Sequence, residues 1–214
     1  MLVGTRMTPN PITVTTDTAI DEALKLMRDK KVRRLPVLDK RGELVGIVAE
    51  KDILYASPSP ATSLSIHEIH YLVSRIKVNE IMTKNVITVT DDTPLEEAAR
   101  VMADNQIGAL PVMHDSKLVG IITETDLFKI FLELLGAREP GVRLTVKVPE
   151  GKGMLPLITG TVSRLEGHFL ALTAWTGEEP GTRVVTIKIS GVDREKLVNS
   201  IGELGLEFLD VRES

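Results

Sequence analysis

The chain has 214 residues, 43% hydrophobic and 26% charged, which is enough for one large domain or for two to three small ones. Its net charge of −4 and its 3% of aromatic residues argue against a surface that binds nucleic acid. The absence of cysteine excludes disulfides and thiolate chemistry, and without a signal sequence or an apolar run of about 20 residues we expect a cytoplasmic protein away from membranes.

Residues 1–56 predict the order strand, helix, strand, strand, helix. The first strand follows Met7–Thr15, which reads Met-Thr-x-Asn-x-Ile-Thr-Val-Thr. The helix after it has an apolar face at the spacing i, i+3, i+4, i+7, and Thr18 with Asp21 should cap its start. Two strands, Leu35–Leu38 and Leu44–Ala49, then form a hairpin, and a second helix begins at Glu50.

A connecting segment occupies residues 57–76. Ser57–Ser63 is rich in serine and proline and predicts a loop, and Ser65–Ile76 predicts a helix with one apolar side. His67 and His70 lie on that helix only three residues apart and without a third ligand, so we interpret them as surface or packing residues and not as a metal site.

Residues 77–135 repeat the first segment. At an offset of 75 residues, or 74 after the hairpin turn, 22 of the 48 positions from Met7 to Leu54 are identical. Thr93-Pro94-Leu95-Glu96 predicts a capped helix start with Pro94 at the first helical position. One such unit has little core of its own, so the two copies should bury their sheets against each other.

These repeats resemble the CBS domain family over residues 1 to about 135. Gly120–Asp126, Gly-Ile-Ile-Thr-Glu-Thr-Asp, matches the family motif Gly-h-x-[Ser/Thr]-x-x-[Asp/Asn], and the Met-Thr and Leu-Pro-Val segments support it. The resemblance implies a tandem pair whose clefts bind adenosine compounds such as AMP, ADP, ATP or S-adenosylmethionine.

The residue types of the second copy suit such a ligand. A helix begins after Thr123, and its free amides attract a phosphate, while Gly120 leaves room for the ligand. Thr123 can donate to the phosphate and Asp126 can accept from the ribose hydroxyls, although the same two residues would also serve as a helix cap. We expect the nucleotide to contact the following residues: Gly120, Thr123, Thr125, Asp126, Ile87, Ala109 and Pro111.

The first copy departs from the motif. It keeps Gly46 and Asp52 but has Ala49 where the motif has a hydroxyl. Lys51 can supply a charge for a phosphate, helped by Arg33 or Arg34, which have no basic counterpart in the second copy. The alternative is that these cations are solvated surface charges, so we expect two unequal sites, one of them empty in the extreme case.

The last third follows a linker at Gly136–Gly141 and predicts the order βαββαβ, a ferredoxin-like domain. The predicted elements are a strand from Val142, a helix around Leu155–Leu165, strands at Phe169–Trp175 and Arg183–Ile189, a helix capped by Asp193, and a strand at Leu206–Val211.

This domain resembles the ACT family, regulatory modules that often bind amino acids. Val148–Leu155 stands in place of the family's Pro-Gly-x-Leu turn, and Thr161–Gly167 ends the first helix. The resemblance implies an effector at Glu150, Gly153, Met154 and Leu155, although this turn is longer than usual and its glycines can equally serve only to shape it. The domain order is similar to that of bacterial acetoin-utilisation CBS–ACT proteins, and both families imply a homodimer.

The sequence therefore predicts a mixed α/β and α+β protein: repeats at 1–56 and 77–135, a connecting segment at 57–76 and an ACT-like domain at 142–214. No Ser-His-Asp order, metal cluster or complete phosphate loop is present, so we expect no catalytic activity and no cofactor. The leading hypothesis is a regulatory sensor of an adenine nucleotide that acts on an unidentified protein. The alternative is a scaffold that binds proteins without a ligand, regulating an acetoin-type pathway.

Overall fold

The computed structural model describes residues 1–57, 73–151 and 153–213. They form two compact units, Met1–Leu127 and Phe128–Ser214, so the division falls inside a helix and not at the glycine-rich segment 136–141. Most of the predicted connecting loop and helix, with His67 and His70, lies outside the described residues.

The first repeat has the predicted elements, except that the strand expected over Met7–Thr15 is two short strands in different sheets. A 3-10 turn (Val3–Thr5) and strand β1 (Thr8–Pro9) come first. They are followed by β2 (Val14–Thr15), helix α1 (Ile20–Lys30), β3 (Arg34–Leu38), β4 (Leu44–Ala49) and α2 (Glu50–Ala56). Strands β2, β3 and β4 form one sheet, and its core includes the following buried residues: Ile20, Ala23, Met27, Leu35, Val37, Val48 and Ile53.

The second repeat has the same plan. Its elements are α3 (Val78–Ile81), β5 (Val89–Thr90), α4 (Leu95–Asn105), β6 (Ala109–His114), β7 (Lys117–Thr123) and α5 (Glu124–Leu134). The sheet order is β1-β7-β6-β5, so this sheet contains a strand from the start of the chain. Leu110, Val112 and Ile122 are among its fully covered residues.

The segment that begins each repeat pairs with the sheet of the other repeat. Thr8 lies opposite Ile121 in an antiparallel pairing, and Thr83 bridges to Ile47 in the equivalent place. The backbone amide of Thr83 donates to the carbonyl of Ile47 at 2.9 Å, and the amide of Ile47 donates back at 3.0 Å. The two repeats therefore exchange their first strands.

The exchange also replaces the helix caps that the sequence predicts. Helix α1 follows Ala19 and helix α4 follows Pro94, neither with a side-chain cap, so Pro94 precedes the helix and is not its first residue. The first amide of α4 donates instead to the carbonyl of Met1, 3.1 Å away, and that of α1 to the carbonyl of Ile76 at the same distance. In each case a backbone carbonyl just before the opening segment of the other repeat satisfies the helix end that a threonine was expected to cap.

Methionine and glycine meet where the strands are exchanged. A Cβ atom placed on Gly120 would lie 2.9 Å from Cγ of Met7, and one on Gly46 would lie 2.9 Å from Cγ of Met82. Both distances are shorter than van der Waals contact, so each strand needs a residue without a side chain at this point. The packing explains why the methionine and the glycine recur together in both copies.

The C-terminal unit has the predicted order of strands and helices. It contains β8 (Val142–Pro149), α6 (Met154–Arg164), β9 (His168–Thr176), β10 (Thr182–Ser190), α7 (Arg194–Gly202) and β11 (Glu207–Glu213). The antiparallel sheet has the order β11-β8-β10-β9. Asp193 caps α7 as predicted, because its Oδ1 accepts a hydrogen bond from the amide of Lys196 at 3.0 Å.

Alternate residues of this sheet point to opposite faces. One face packs in a core with Ile158 and Val162 of α6 and with Leu197 and Ile201 of α7. The residues between them along each strand lie on the other face, and many of these are polar, including Arg143 and Lys147 of β8 and Lys188 of β10. Within the described ranges, none of the helices is sufficiently long and apolar to cross a membrane.

Replacing Gly120 by valine should lower the free energy of unfolding by about 1–3 kcal/mol, because the new side chain would collide with Met7. The double variant Gly120→Val/Met7→Ala should lose less than the sum of the two single losses, since the smaller partner relieves the collision. Urea unfolding of the four proteins measures both quantities. Strict additivity would show that the two side chains do not interact.

Candidate functional site

The N-terminal unit contains two clefts of similar size. Cleft I has a volume of about 330 Å³ and cleft II of about 280 Å³, which is near the lower end of the range for small-molecule sites. Cleft I is lined by Thr8, Asn10, Pro11, Ile12, Lys31, Val32, Arg33, Arg34, Ile121, Thr123, Thr125 and Asp126. Cleft II is lined by Arg34, Ile47, Ala49, Lys51, Asp52, Thr83, Asn85, Val86, Ile87, Gln106, Ile107, Gly108, Ala109 and Glu124.

The two clefts are equivalent in the repeat. Thr8 corresponds to Thr83 and Lys31 to Gln106 at the offset of 75, and Asp126 corresponds to Asp52 at the offset of 74. Each cleft combines the strand end and helix start of one repeat with the opening segment and the junction between first helix and second strand of the other. The backbone plan is shared, so the differences between the clefts lie in the side chains.

Thr123 and Asp126 form a compact hydrogen-bonded pair at the start of α5 in cleft I. The amide of Thr123 donates to Oδ2 of Asp126 at 3.0 Å, and the Thr123 hydroxyl donates to the same oxygen at 2.7 Å. The Asp126 amide donates to the Thr123 hydroxyl at 3.3 Å. The carboxylate is therefore held in a fixed orientation by its own helix end, and Oδ1 of Asp126 has no hydrogen bond within the described residues.

Cleft II keeps half of this arrangement. The amide of Ala49 donates to Oδ2 of Asp52 at 2.8 Å, so the second carboxylate is oriented by the backbone alone. Ala49 has no hydroxyl to donate to a ligand, while Lys51 stands where cleft I has Thr125. An acceptor for a diol is thus present in both clefts, and a hydroxyl group beside it only in cleft I.

Cleft I collects most of the cations. Lys31, Arg33 and Arg34 line it, against a single carboxylate from Asp126. A guanidinium nitrogen of Arg33 donates to the Thr125 hydroxyl at 3.2 Å, which joins residues from the two repeats across the cleft. Three cations near the start of a helix favour a ligand that carries negative charge.

Arg34 lines both clefts, and in cleft II it is opposed by acidic residues. The guanidinium of Arg34 and the carboxylate of Glu124 both approach Gly108, where a Cβ atom would lie 2.9 Å from Cδ of Glu124. Arg34 and Lys51 face Asp52 and Glu124 in this cleft, so its formal charge is zero, whereas that of cleft I is +2. The two sites therefore differ in the charge of the ligand that they suit.

The structure groups the expected site residues differently from the sequence interpretation. Ile87 and Ala109 were expected to wall the site of Thr123 and Asp126, but they line cleft II with Asp52. Arg33, expected to assist Lys51, lines cleft I. Ile87 follows the opening segment that is exchanged between the repeats, whereas Ala109 and Arg33 lie just after α4 and α1, at junctions that also line the cleft of the other repeat's aspartate.

Three further expected residues line neither cleft. Pro111 is buried in the middle of β6, opposite Ile121. The space beside Gly120 and Gly46 is filled by the methionines of the exchanged segments, so these glycines make room for Met7 and Met82, and not for a ligand as expected.

The sequence interpretation missed several residues that line the clefts. Thr8 and Asn10 belong to the repeated Met-Thr-x-Asn motif, which was visible but had no assigned role. Lys31 and Gln106 follow α1 and α4 in the left-handed backbone region, with φ of 54° and 53°. A non-glycine residue there is strained, and the strain recurs at the same place in both clefts.

The turn expected to hold an effector lies at the start of α6. The amide of Glu150 donates to the carbonyl of Gly181 at 2.8 Å, which fastens the turn to the β9–β10 hairpin. Gly153 precedes the helix with φ of 100°, a conformation that favours glycine. Met154 packs against the core, and Leu155 is 41% exposed.

Within the parts of the chain that the structure describes, no group of three or more histidine, cysteine, aspartate or glutamate side chains is placed to hold a metal ion.

Comparison with known protein families identifies the two repeats that form the clefts. The model of the CBS domain matches residues 3–59 and 78–133, more than half of the chain and the two repeats that form the clefts.

Solved structures of this kind resemble the chain over about its first two thirds. The CBS domain pair of protein MJ0100, in complex with 5′-methylthioadenosine and S-adenosyl-L-methionine, is 31% identical with a TM-score of 0.52, covering 65% of this chain and 98% of that one. A Vibrio cholerae protein assigned to acetoin utilization (AcuB) is 32% identical with a TM-score of 0.53, covering 65% of this chain and 96% of that one.

CBSX2 of Arabidopsis thaliana, a chloroplastic protein, is a further relative. It is 33% identical over 152 residues, 62% of this chain and 64% of that protein. The CBSX2 structure in complex with AMP is 36% identical, with a TM-score of 0.50, and covers 61% of this chain and 96% of that one.

Proposed function

Because the chain belongs to the CBS domain family, we propose that it is a regulatory protein that binds an adenine nucleotide in cleft I. The observation that carries this proposal is the arrangement in cleft I, where an oriented Asp126 and the Thr123 hydroxyl face three cations from the other repeat. Relatives crystallised with AMP, and with 5′-methylthioadenosine and S-adenosyl-L-methionine, support the class of ligand.

Each part of cleft I has a role toward such a ligand. The free Oδ1 of Asp126 accepts from the ribose hydroxyls, because Oδ2 is already engaged by Thr123. Lys31 and Arg33 bind the phosphate, and Arg33 is held in position by its hydrogen bond to Thr125. Pro11, Ile12 and Ile121 supply the apolar atoms that cover the base.

Cleft II suits an adenosine compound with less negative charge. Asp52 is oriented for the ribose as Asp126 is, but Glu124 opposes the cations and the hydroxyl of Thr123 is replaced by Ala49. The phosphate of a nucleotide in cleft II would contact only two cations, Lys51 and the Arg34 that also lines cleft I. Adenosine, 5′-methylthioadenosine or S-adenosylmethionine therefore fit cleft II better than ADP or ATP do.

The C-terminal unit is proposed to be an ACT-like domain of the ferredoxin-like class. Its order βαββαβ and sheet order β11-β8-β10-β9 support this assignment. Helix α6 has no side-chain cap at Gly153, so its first amides can bind the carboxylate of an amino acid, and Glu150 can accept from its ammonium group. An effector bound at Glu150, Gly153, Met154 and Leu155 would be a second regulatory ligand of the protein, besides the nucleotide.

Self-association is proposed through α2. Leu54 and Tyr55 on this helix are 55% and 87% exposed, so they present apolar surface that a second copy of the chain would cover.

The likeness to the acetoin-utilization protein supports a role in that type of metabolism. A scaffold without a ligand remains the competing function, and the measurement below separates it from the sensor.

Thermal unfolding with adenosine, AMP, ADP, ATP and S-adenosylmethionine tests the nucleotide site. A ligand at 100 times its Kd should stabilise the protein by about 2.7 kcal/mol, a shift of several degrees. The AMP shift should exceed the adenosine shift, vanish in Asp126→Ala and persist in Asp52→Ala. Arg33→Ala should weaken AMP binding about tenfold, because it removes one charge-assisted contact.

Arg41→Ala is the matched control, since it removes the same charge from the β3–β4 turn outside both clefts. An AMP shift lost in Asp52→Ala but kept in Asp126→Ala would assign the nucleotide to cleft II and contradict the proposal. No shift with any compound would favour the scaffold.

The ACT-like turn is tested by adding the individual amino acids to the same measurement. We expect at least one to raise the unfolding temperature, and Glu150→Gln to abolish that rise because the carboxylate that receives the ammonium group is lost. The matched control is Glu166→Gln, at the other end of α6. Equal shifts in both variants would exclude Glu150 as the contact.

Sedimentation velocity tests self-association. The wild-type chain should sediment as a dimer at micromolar concentration, and Tyr55→Glu should shift it toward the monomer by placing a charge in the apolar contact. A monomeric wild-type chain would contradict the proposal.

A further inference from the structure

Lys188 is the only charged side chain that is buried among the described residues. It is 5% exposed on β10, on the sheet face opposite helices α6 and α7. Its ammonium group donates to the carbonyl of Gly136 at 2.9 Å. Over the described ranges no carboxylate lies within 4 Å of this group, so its charge has no ionic partner.

The other cations of this face are neutralised. Lys147 contacts Glu207 at 2.6 Å and Glu179 at 3.1 Å, and its hydrogen bond to Glu207 raises its pKa above the ordinary value. Arg143, the cross-strand neighbour of Lys188, contacts Asp210 at 2.6 Å. Lys188 therefore differs from its neighbours both in burial and in the lack of a carboxylate.

Lys188 lines a cavity of about 340 Å³ in the C-terminal unit. The apolar part of the wall comes from Phe131, Leu135, Ala171 and Trp175. Thr173, Thr186 and Arg143 complete it, so a single buried ammonium group lies among mainly apolar surfaces. A cavity that is mainly apolar with a few polar groups is typical of a small-molecule site.

A buried cation without an ionic partner is unfavourable. An ammonium group has three donors, and Gly136 accepts from one of them. The carbonyl and the negative end of helix α5 offset at most about half an elementary charge. Keeping the remaining charge out of water lowers stability unless an anion joins it.

We propose that this cavity binds a small organic monocarboxylate with an apolar branched or aromatic body. The carboxylate would accept hydrogen bonds from the free donors of Lys188, and the body would pack against Trp175, Phe131 and Leu135. A nucleotide or free phosphate suits the cavity poorly, because its other charges would face apolar walls. The site is separate from clefts I and II and from the turn at Glu150–Leu155, so it does not depend on the function proposed for them.

Trp175 is the only tryptophan of the chain and lies in the cavity wall, so its fluorescence reports on binding. Titration of the full chain with phenylacetate or 4-methylpentanoate should change this fluorescence to saturation. Phenylacetamide, which has the same shape without the charge, should bind at least about tenfold more weakly. Equal binding of the acid and the amide would overturn the proposal.

Two variants separate charge from shape. Lys188→Met should reduce phenylacetate affinity about tenfold or more while leaving the unliganded protein as stable as the wild type or more stable, because it removes an unpaired buried charge. Ala171→Phe keeps the charge and fills the cavity, and it should also abolish binding. Lys147→Met is the matched control on the same sheet face and should bind as the wild type does.

Three outcomes would overturn the proposal. Unchanged phenylacetate binding in Lys188→Met, together with a loss of stability, would assign Lys188 to capping the carbonyl of Gly136 alone. If Lys188→Met does not fold, unchanged binding in Ala171→Phe decides against the cavity. A chain that sediments as a dimer, becomes monomeric in Trp175→Glu and shows no fluorescence response to either acid would identify the face as a contact between chains.

Discussion

The exchange of opening segments between the repeats is the constraint on which the N-terminal unit depends. Met7 packs over Gly120 and Met82 over Gly46, and each segment adds backbone hydrogen bonds to the sheet of the other repeat. The same exchange supplies the acceptors for the first amides of α1 and α4. A single repeat would lack a sheet neighbour, a helix cap and one wall of its cleft, so neither repeat forms a complete cleft by itself.

The two clefts show how a duplicated backbone supports different chemistry. Asp126 and Asp52 are held by the same amide contact at the start of a helix, so both clefts present an oriented carboxylate. The substitutions around them change charge and hydroxyl donors without changing that contact. Arg34 lines both clefts, so the two sites share one guanidinium group.

In the C-terminal unit, one face of the sheet forms the stabilising core and the opposite face carries the proposed binding cavity. The face toward α6 and α7 carries the aliphatic core, which holds the strands in register. On the opposite face, Lys147 and Arg143 have carboxylate partners, but Lys188 is buried with a carbonyl alone. Such a group reduces stability in isolation, and an anion that shares its environment offsets that cost.

The sequence by itself determined the order of the elements, the duplication and the chemistry at the start of each repeat's second helix. Local periodicity and local caps carry this information, as the correct assignment of Asp193 to the start of α7 shows. The sequence interpretation grouped Ile87 and Ala109 with Asp126 and Arg33 with Lys51, whereas in the structure each of the three lines the cleft of the other repeat's aspartate.

Lys188 illustrates the same limit. Its place in the alternation of β10 puts it on the face opposite the aliphatic core, and the tertiary structure buries it there with its ammonium group against the carbonyl of Gly136. The sequence records which face of an element is apolar, because that depends on residues two to four positions apart. Which distant segments meet across those faces is decided by the packing of the whole chain, and that packing determined both the composite clefts and the buried lysine.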